Sequence, residues 1–488
     1  MCVAVPFAGN AMSREYMTAG RALDAVAKGQ TFKAYCSKVK IGTTDFLLAS
    51  ETLKYREVIS TLLDKSAVSA KSLDVGSNGV LYVLVYELLF GRGKIRGGGG
   101  VKRRLMDVEE SLRMVLANEM AKKGVTQASL MLSEHIRKAD STLRQYLRVN
   151  TLKVFSETDR ARVVEMIMSK CPGAQPDTII PNLYCLPPKS TSFGEHSLVK
   201  TGCVVIQDKA STIPSQLLMD EWDGRGDICD ACAAPGNKTT HLAAIMAHRL
   251  ASDHHHHHRQ PKIYAFEKDS RRAALLQERI NLAGGSSLID VTHANFLQVT
   301  IESSVTDVLL DPSCSGSGVL RSLDRLADVN DEACDGRINA LRTFQVQVLQ
   351  KAMESNSVKH IVYSTCSVHV DENESVVAEV LNHDIGAAWK LKAPARLTEW
   401  KRRGLPCSGL TLEQSACLIR CSVDDGMIGF FVAVFEKRNK RPAQEEEKKE
   451  EKEGKGEEEE KEVMLKARSR MSMSKVKTLW RPASKFSF

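Results

Sequence analysis

From about residue 200 onward, short apolar runs at 227–230, 263–266, 287–291, 305–310, 360–363 and 429–435 alternate with helical patterns. The helical patterns begin near 241, 270, 338 and 372. Few architectures accept that alternation. Strands without a polar face must be covered on both sides, and crossovers through helices make neighbouring strands parallel. An α/β fold with a doubly wound sheet is therefore expected. In such a sheet ligands sit outside the carboxyl ends of the strands, so the residues following each strand are where chemistry should be sought.

The chain ahead of the sheet reads differently. Residues 11–90 space their apolar side chains as helices do, with Leu23, Val26 and Ala27, then Leu53, Val58, Leu62 and Leu63. The densest apolar run, 80–90, contains Glu87 and is shorter than the roughly 18–20 residues of a membrane span, so a buried core element is expected and no membrane partner. A glycine-rich basic stretch at 91–104 reads as a loop. Residues 101–170 carry 14 basic against 9 acidic side chains, including Arg137, Lys138, Arg144, Arg148 and Lys153 around Tyr146. Within them 146–153 alternates like a strand and leads into a helical pattern at 157–170, a small α+β module with a basic face.

Four segments are expected: a helical region at 1–138, the α+β module at 139–215, the doubly wound domain at 216–437 and a charged tail at 438–488. In the tail, 445–462 holds 11 Glu and 5 Lys, and 464–488 holds 7 Lys and Arg with no acid. So little apolar surface cannot offset the entropy of ordering, and disorder is expected there. The patch at 437–441, Lys-Arg-Asn-Lys-Arg, could serve nuclear import. The formal charge of +8 suggests a polyanionic partner, most simply nucleic acid.

Hydrophobic content of 43% with 26% charged residues suits a soluble globular chain. The start, Met1-Cys2-Val3-Ala4-Val5-Pro6, lacks the basic and apolar regions of a secretory signal, and the early Glu15 and Asp24 disfavour an organelle peptide. Thirteen cysteines without framework spacing fit reduced thiols in a cytosolic or nuclear compartment. No metal site is expected; the histidine run 254–258 reads as a variable solvent loop between the first helix and second strand.

Three strand ends carry chemistry. After the first strand, Asp230-Ala231-Cys232-Ala233-Ala234-Pro235-Gly236-Asn237-Lys238-Thr239 opens a helix. Small residues let the backbone approach a ligand, and a helix N-terminus favours a negative group. The pattern matches neither the dinucleotide fingerprint nor the P-loop. Glu267, ending the second strand, is placed to accept both ribose hydroxyls of an adenosine ligand. Cys314, in Asp311-Pro312-Ser313-Cys314-Ser315-Gly316-Ser317-Gly318, and Cys366, in Ser364-Thr365-Cys366-Ser367, follow the fourth and fifth strands. Two thiols and a carboxylate at one ligand-facing edge suit methylation of cytosine carbon 5. One thiolate adds to ring carbon 6 and makes carbon 5 nucleophilic. The acid stabilises charge at ring nitrogen 3, and the second thiol helps release the product. Lys238 could hold the cofactor loop or orient Asp311.

These blocks, with the Glu-Asn-Glu at 372–374, resemble the Sun/NOP family of RNA cytosine-5 methyltransferases over about residues 140–437. The variant forms look most like the member-5 subgroup, which modifies large-subunit ribosomal RNA. The resemblance implies a Rossmann-like methyltransferase sheet, preceded by a helical domain and a small α+β RNA-binding module. It implies S-adenosylmethionine (S-adenosyl-L-methionine) held by Cys232, Ala233, Ala234, Pro235, Gly236, Asn237 and Lys238, by Glu267, and by a polar residue after the third strand, here Asn295. In this reading Asn295 replaces an acid and accepts from the adenine amino group. Arg272 falls where a basic residue contacts the cofactor, and Asp311 also faces it. Cys366 is then the nucleophile and Cys314 the release thiol. Large-subunit rRNA and pre-ribosomal particles would be the partners, in the nucleus and nucleolus. Two rivals remain: an amino-group methyltransferase, which would carry Pro-Tyr or Pro-Phe where Ser313-Cys314 stands, and a ribosome-assembly factor binding RNA with little or no catalysis.

Overall fold

The computed structural model describes residues 12–438 apart from 29, 31, 40, 98, 189, 191, 253–258 and 320–330. The histidine run and the charged tail lie outside the described residues.

The N-terminal part is helical: α1 Arg14–Ala27, α2 Phe32–Val39, α3 Thr43–Lys54, α4 Arg56–Ser66, α5 Asn78–Leu89, α6 Gly99–Asp107, α7 Glu109–Lys122 and α8 Glu134–Thr142. The apolar run 80–90 became α5, buried against α1, with Glu87 only 3% exposed and accepting from Tyr16 Oη at 3.4 Å. The two helices meet through glycines: a Cβ on Gly79 would lie 2.1 Å from the Gly20 carbonyl oxygen, so any larger residue forces them apart. The glycine-rich stretch is less of a free loop than its composition suggested. Ile95 is buried, Arg96 N donates to Tyr16 Oη at 3.2 Å, and α6 already starts at Gly99.

Next comes a four-stranded antiparallel sheet of order β2-β3-β1-β4, formed by β1 Tyr146–Val149, β2 Gln175–Pro176, β3 Leu183–Cys185 and β4 Val204–Ile206. It carries the helices α9 Glu157–Lys170 and α10 Ser197–Lys200. The alternation at 146–153 yields a strand only to Val149. Asn150 then turns the chain, its Oδ1 accepting from Leu152 N while its Nδ2 donates to the Gly202 and Ala283 carbonyls at 2.8 and 2.9 Å. Local bonds to an Asn side chain outcompete continued pairing.

The large sheet runs β10-β12-β9-β8-β5-β6-β7, with β11 also paired to β12. Its strands are β5 Asp227–Asp230, β6 Ile263–Glu267, β7 Ile289–His293, β8 Val305–Leu310, β9 His360–Thr365, β10 Trp389–Leu391, β11 Ile419–Cys421 and β12 Phe430–Lys437. Pairing is parallel from β7 through β9 and antiparallel at β12. Successive residues feed opposite cores. Ile228, Leu309, Val362 and Val432 pack with α11 Lys209–Glu221, α12 Asn237–Ser252 and α13 Ser270–Ala283, whereas Cys229, Val308, Ile361 and Phe431 pack with α14 Asp331–Met353 and α15 Glu374–Leu381. The sheet is thus doubly wound. The short helix α16 Leu412–Cys417 precedes β11. Strand order reverses between β5 and β8, which places a ligand crevice at their carboxyl ends.

Candidate active site

The turn after β5 brings small residues to that crevice. Gly236 sits at φ +100°, a conformation that side chains disfavour, and a Cβ there would meet Leu276 Cδ1 at 2.9 Å. The Ala234–Pro235 peptide is cis. Ala233 N donates to the Phe266 carbonyl at 2.9 Å, tying the turn to β6, and α12 begins at Asn237. Behind the turn, Asp230 is buried; Thr239 Oγ1 donates to its Oδ2 at 2.7 Å and its Oδ1 has no partner. Burial pushes this carboxyl up to about 7.

Glu267 closes β6 and is only 4% exposed. Its Oε1 accepts from Asp269 N at 3.0 Å, and Arg272 Nη2 lies 3.4 Å from Oε2. The same Arg272 nitrogen donates to the Ala234 carbonyl at 2.7 Å. Arg272 therefore braces the small-residue turn against Glu267. Asn295 follows β7 and lines the cleft; its Oδ1, expected to face an adenine amino group, accepts from Leu297 N at 3.2 Å. Ala231, Cys232, Ala234, Glu267, Arg272, Asn295, Asp311, Cys314 and Cys366 all line one cleft.

Asp311 is clamped from both sides. Lys238 Nζ contacts Oδ2 at 2.6 Å, and Ser364 Oγ donates to Oδ1 at 2.7 Å. Lys238, in the first turn of α12, thus joins the small-residue turn to Asp311. The ammonium also lies 5.1 Å from the Phe430 ring centroid. Cys314 and Cys366 bring their sulfurs to 3.1 Å, so one proton can bridge them. The Cys314 S–H bond holds the Cys366 thiol below its ordinary range against the opposing effect of burial, with Lys238 helping. That same bond, with burial, pushes Cys314 well up.

Sequence reasoning missed the brace beneath the thiols. Buried Glu372 accepts from Ser315 N at 2.8 Å and Gln345 Nε2 at 3.1 Å through Oε1, and Gln345 Nε2 also donates to the Ser313 carbonyl at 3.1 Å. Peptide groups on both sides of Cys314 are thereby fixed. Gly318 N donates to the Cys366 carbonyl at 2.8 Å, linking the two loops directly. The Glu-Asn-Glu triplet was the one available signal. Lys268, Phe296 and Phe344 were also missed as cleft residues; Lys268 Nζ lies 4.7 Å from the Phe344 centroid.

The expectation that the chain holds no Cys-x-x-Cys pair, and so no zinc ribbon, miscounts the sequence: Cys229 and Cys232 form one. Cys229 is buried in the sheet core, while Cys232 lines the cleft. Among the described residues no group of three or more His, Cys, Asp or Glu could hold a metal ion. Among them also, no helix is long and apolar enough to cross a membrane.

A doubly wound sheet with a small-residue turn after β5 and a buried carboxylate ending β6 defines a Rossmann-like fold with a ligand site at its carboxyl edge. The chain belongs to the Sun/NOP family. Residues 217–405 match the family described as 16S rRNA methyltransferase RsmB/F, and residues 45–132 match the NOL1/NOP2/Sun domain family member 5, N-terminal domain. It is 33% identical over 417 residues to the 25S rRNA (cytosine-C(5))-methyltransferase rcm1 of Schizosaccharomyces pombe, covering 82% of this chain and 85% of that one. The 28S rRNA (cytosine-C(5))-methyltransferase of Mus musculus is 34% identical over 420 residues, covering 81% and 84%. In fold, the chain is similar to the crystal structure of PH0851, with a TM-score of 0.59 at 20% identity, over 90% of this chain and 100% of that one.

Proposed function

We propose that this methyltransferase forms 5-methylcytosine in large-subunit rRNA through a covalent Cys366–cytosine adduct. The observation that carries the reading is the thiol pair at 3.1 Å beside a carboxylate clamped by Lys238 and Ser364. The relatives named for 25S and 28S rRNA support the substrate class. On that substrate, work in the nucleolus follows, with the 139–215 module as the RNA-binding unit beside a 216–437 catalytic unit.

The residues present fit S-adenosylmethionine. The 232–238 turn offers small side chains and a helix N-terminus for its carboxylate, and buried Glu267 offers acceptors for the ribose hydroxyls. Arg272 keeps the turn and Glu267 together. When bound, this cofactor supplies an electrophilic methyl group.

The target cytosine must leave its stack to enter the cleft. The Cys366 thiolate, favoured by the Cys314 S–H and by Lys238, adds to ring carbon 6. Asp311, held by Lys238 and Ser364, hydrogen-bonds ring nitrogen 3, and the proton that this nitrogen takes up as carbon 6 is attacked passes through Asp311 from the Lys238 ammonium. Carbon 5 then takes the methyl group. Elimination removes the carbon 5 proton and returns the Cys366 thiolate, with Cys314 the group positioned to assist. Bisulfite sequencing of rRNA from cells lacking this protein should show one cytosine losing its methyl mark. An unchanged pattern removes the reading.

A further inference from the structure

A second cavity, of about 370 Å³, opens between the β1 sheet and α12. Arg148, Arg160, Arg249, Arg396, His241 and His248 line it, and no Asp or Glu does. Two carboxylates lie nearby. Glu157 pairs with Arg160 at 2.7 Å; Asp220 takes Arg396 through both oxygens at 2.6 and 2.7 Å and lies 3.9 Å from Arg249. Four guanidinium groups thus meet two carboxylates.

Arg148 is the one with no anion. It is 1% exposed, and its partners are neutral: Gln207 Oε1 at 2.8 Å, Thr240 Oγ1 at 3.1 Å and the Asn237 carbonyl at 3.4 Å. Two of these belong to the first turn of α12, the positive end of a helix, where a further cation is disfavoured. Burial alone pulls its guanidinium down to about 9, the mark of a charge without compensation. Its Nη1 and the Nε of Arg160 are buried donors without a hydrogen-bond partner. A buried charge and buried donors are costly unless something pairs with them.

We propose that this cavity is an oxyanion site that takes a phosphate group, most directly a phosphodiester of the bound RNA. A water occupies about 30 Å³, so the cavity holds a phosphate with water around it. Arginine is the side chain best matched to phosphate geometry. The choice of RNA as source rests on the function proposed above; the site itself does not.

The test uses the full chain, with inorganic pyrophosphate and a single-stranded RNA oligonucleotide as probes. Arg160→Gln/Arg249→Gln removes two partly exposed charges from the rim, with the Glu157 pair and the bond to the Trp222 carbonyl; Arg148→Gln is the deeper variant, and each is read against a cooperative thermal melt. Wild type should bind pyrophosphate, RNA should displace it, and the double variant should bind it at least about tenfold more weakly. The RNA salt dependence should flatten by about one unit for the lost phosphate contact, while S-adenosylmethionine affinity stays unchanged. Pyrophosphate binding lost in the variant, with the RNA slope intact and no displacement, supports the site with a free oxyanion as its ligand. No pyrophosphate binding by wild type, or binding indifferent to both variants, overturns it. Failure to methylate RNA would count against the function proposed above and leave this result standing.

Discussion

Cys314 and Cys366 stand 52 residues apart in the chain, yet their sulfurs lie 3.1 Å from each other. The parallel pairing of β8 with β9 sets their loops side by side, and the Glu372–Gln345 brace fixes the first loop. At that distance one thiol can donate to the other, and their acidities move in opposite directions, Cys366 down and Cys314 up.

Replacing each cysteine separates the roles. Cys366→Ala should abolish methylation and leave no adduct, because nothing attacks ring carbon 6. Cys314→Ala should still allow attack and methyl transfer but stall in elimination, accumulating a protein–RNA adduct stable to denaturing electrophoresis. The adduct appearing with Cys366→Ala instead would reverse the assignment.

Glu267→Ala should weaken S-adenosylmethionine binding by about 2–4 kcal/mol, through the loss of charge-assisted hydrogen bonds to the ribose. Arg272 would lose its carboxylate as well, so a thermal melt must first show a folded variant. Calorimetry finding wild-type affinity would remove Glu267 from the cofactor site.

Lys238→Met should lower turnover roughly 10–100-fold by freeing one side of Asp311. It should also move the pH profile. The reactive form of Cys366 is the thiolate, so rate rises with pH, with a midpoint below the ordinary thiol value. Lys238 is one cause of that lowering, and the limb should move to higher pH without it. A lower plateau with an unmoved limb would confine Lys238 to orienting Asp311.

Asp230 gives a stability prediction. Its folded carboxyl titrates at about 7, well above its unfolded value near 3.9. Between those values the folded state holds a proton that the unfolded state has lost, so stability falls as pH rises through the window and levels off above it. Asp230→Asn should melt higher than wild type at pH 8, by an amount on the order of a few kcal/mol, and nearly alike at pH 4. Equal melting at both pH values would show that Asp230 is not held protonated.

Most of the sheet was legible from local pattern. The run 305–310 is a strand with those same bounds, and 227–230 likewise, with Ile228 and Leu309 feeding one core and Cys229 and Val308 the other, as a strand covered on both faces requires. Boundaries drifted where side chains take backbone bonds. The strand expected at 287–291 runs Ile289–His293, and the helix expected from 372 starts at Glu374, since Glu372 and Asn373 are occupied with the thiol loops.

The sequence by itself determined which residue types end each strand, and hence the chemistry available: two thiols, a carboxylate, a small-residue turn and a second carboxylate. Tertiary structure alone decided how they act. Lys238 reaches Asp311 across 73 residues, Ser364 across 53, and Arg148 lies buried against α12 across 92. Helical and strand periodicities report which side of an element is buried, not which distant residue meets it there. Distance, shifted acidity and uncompensated charge arise only when strand order brings those ends together.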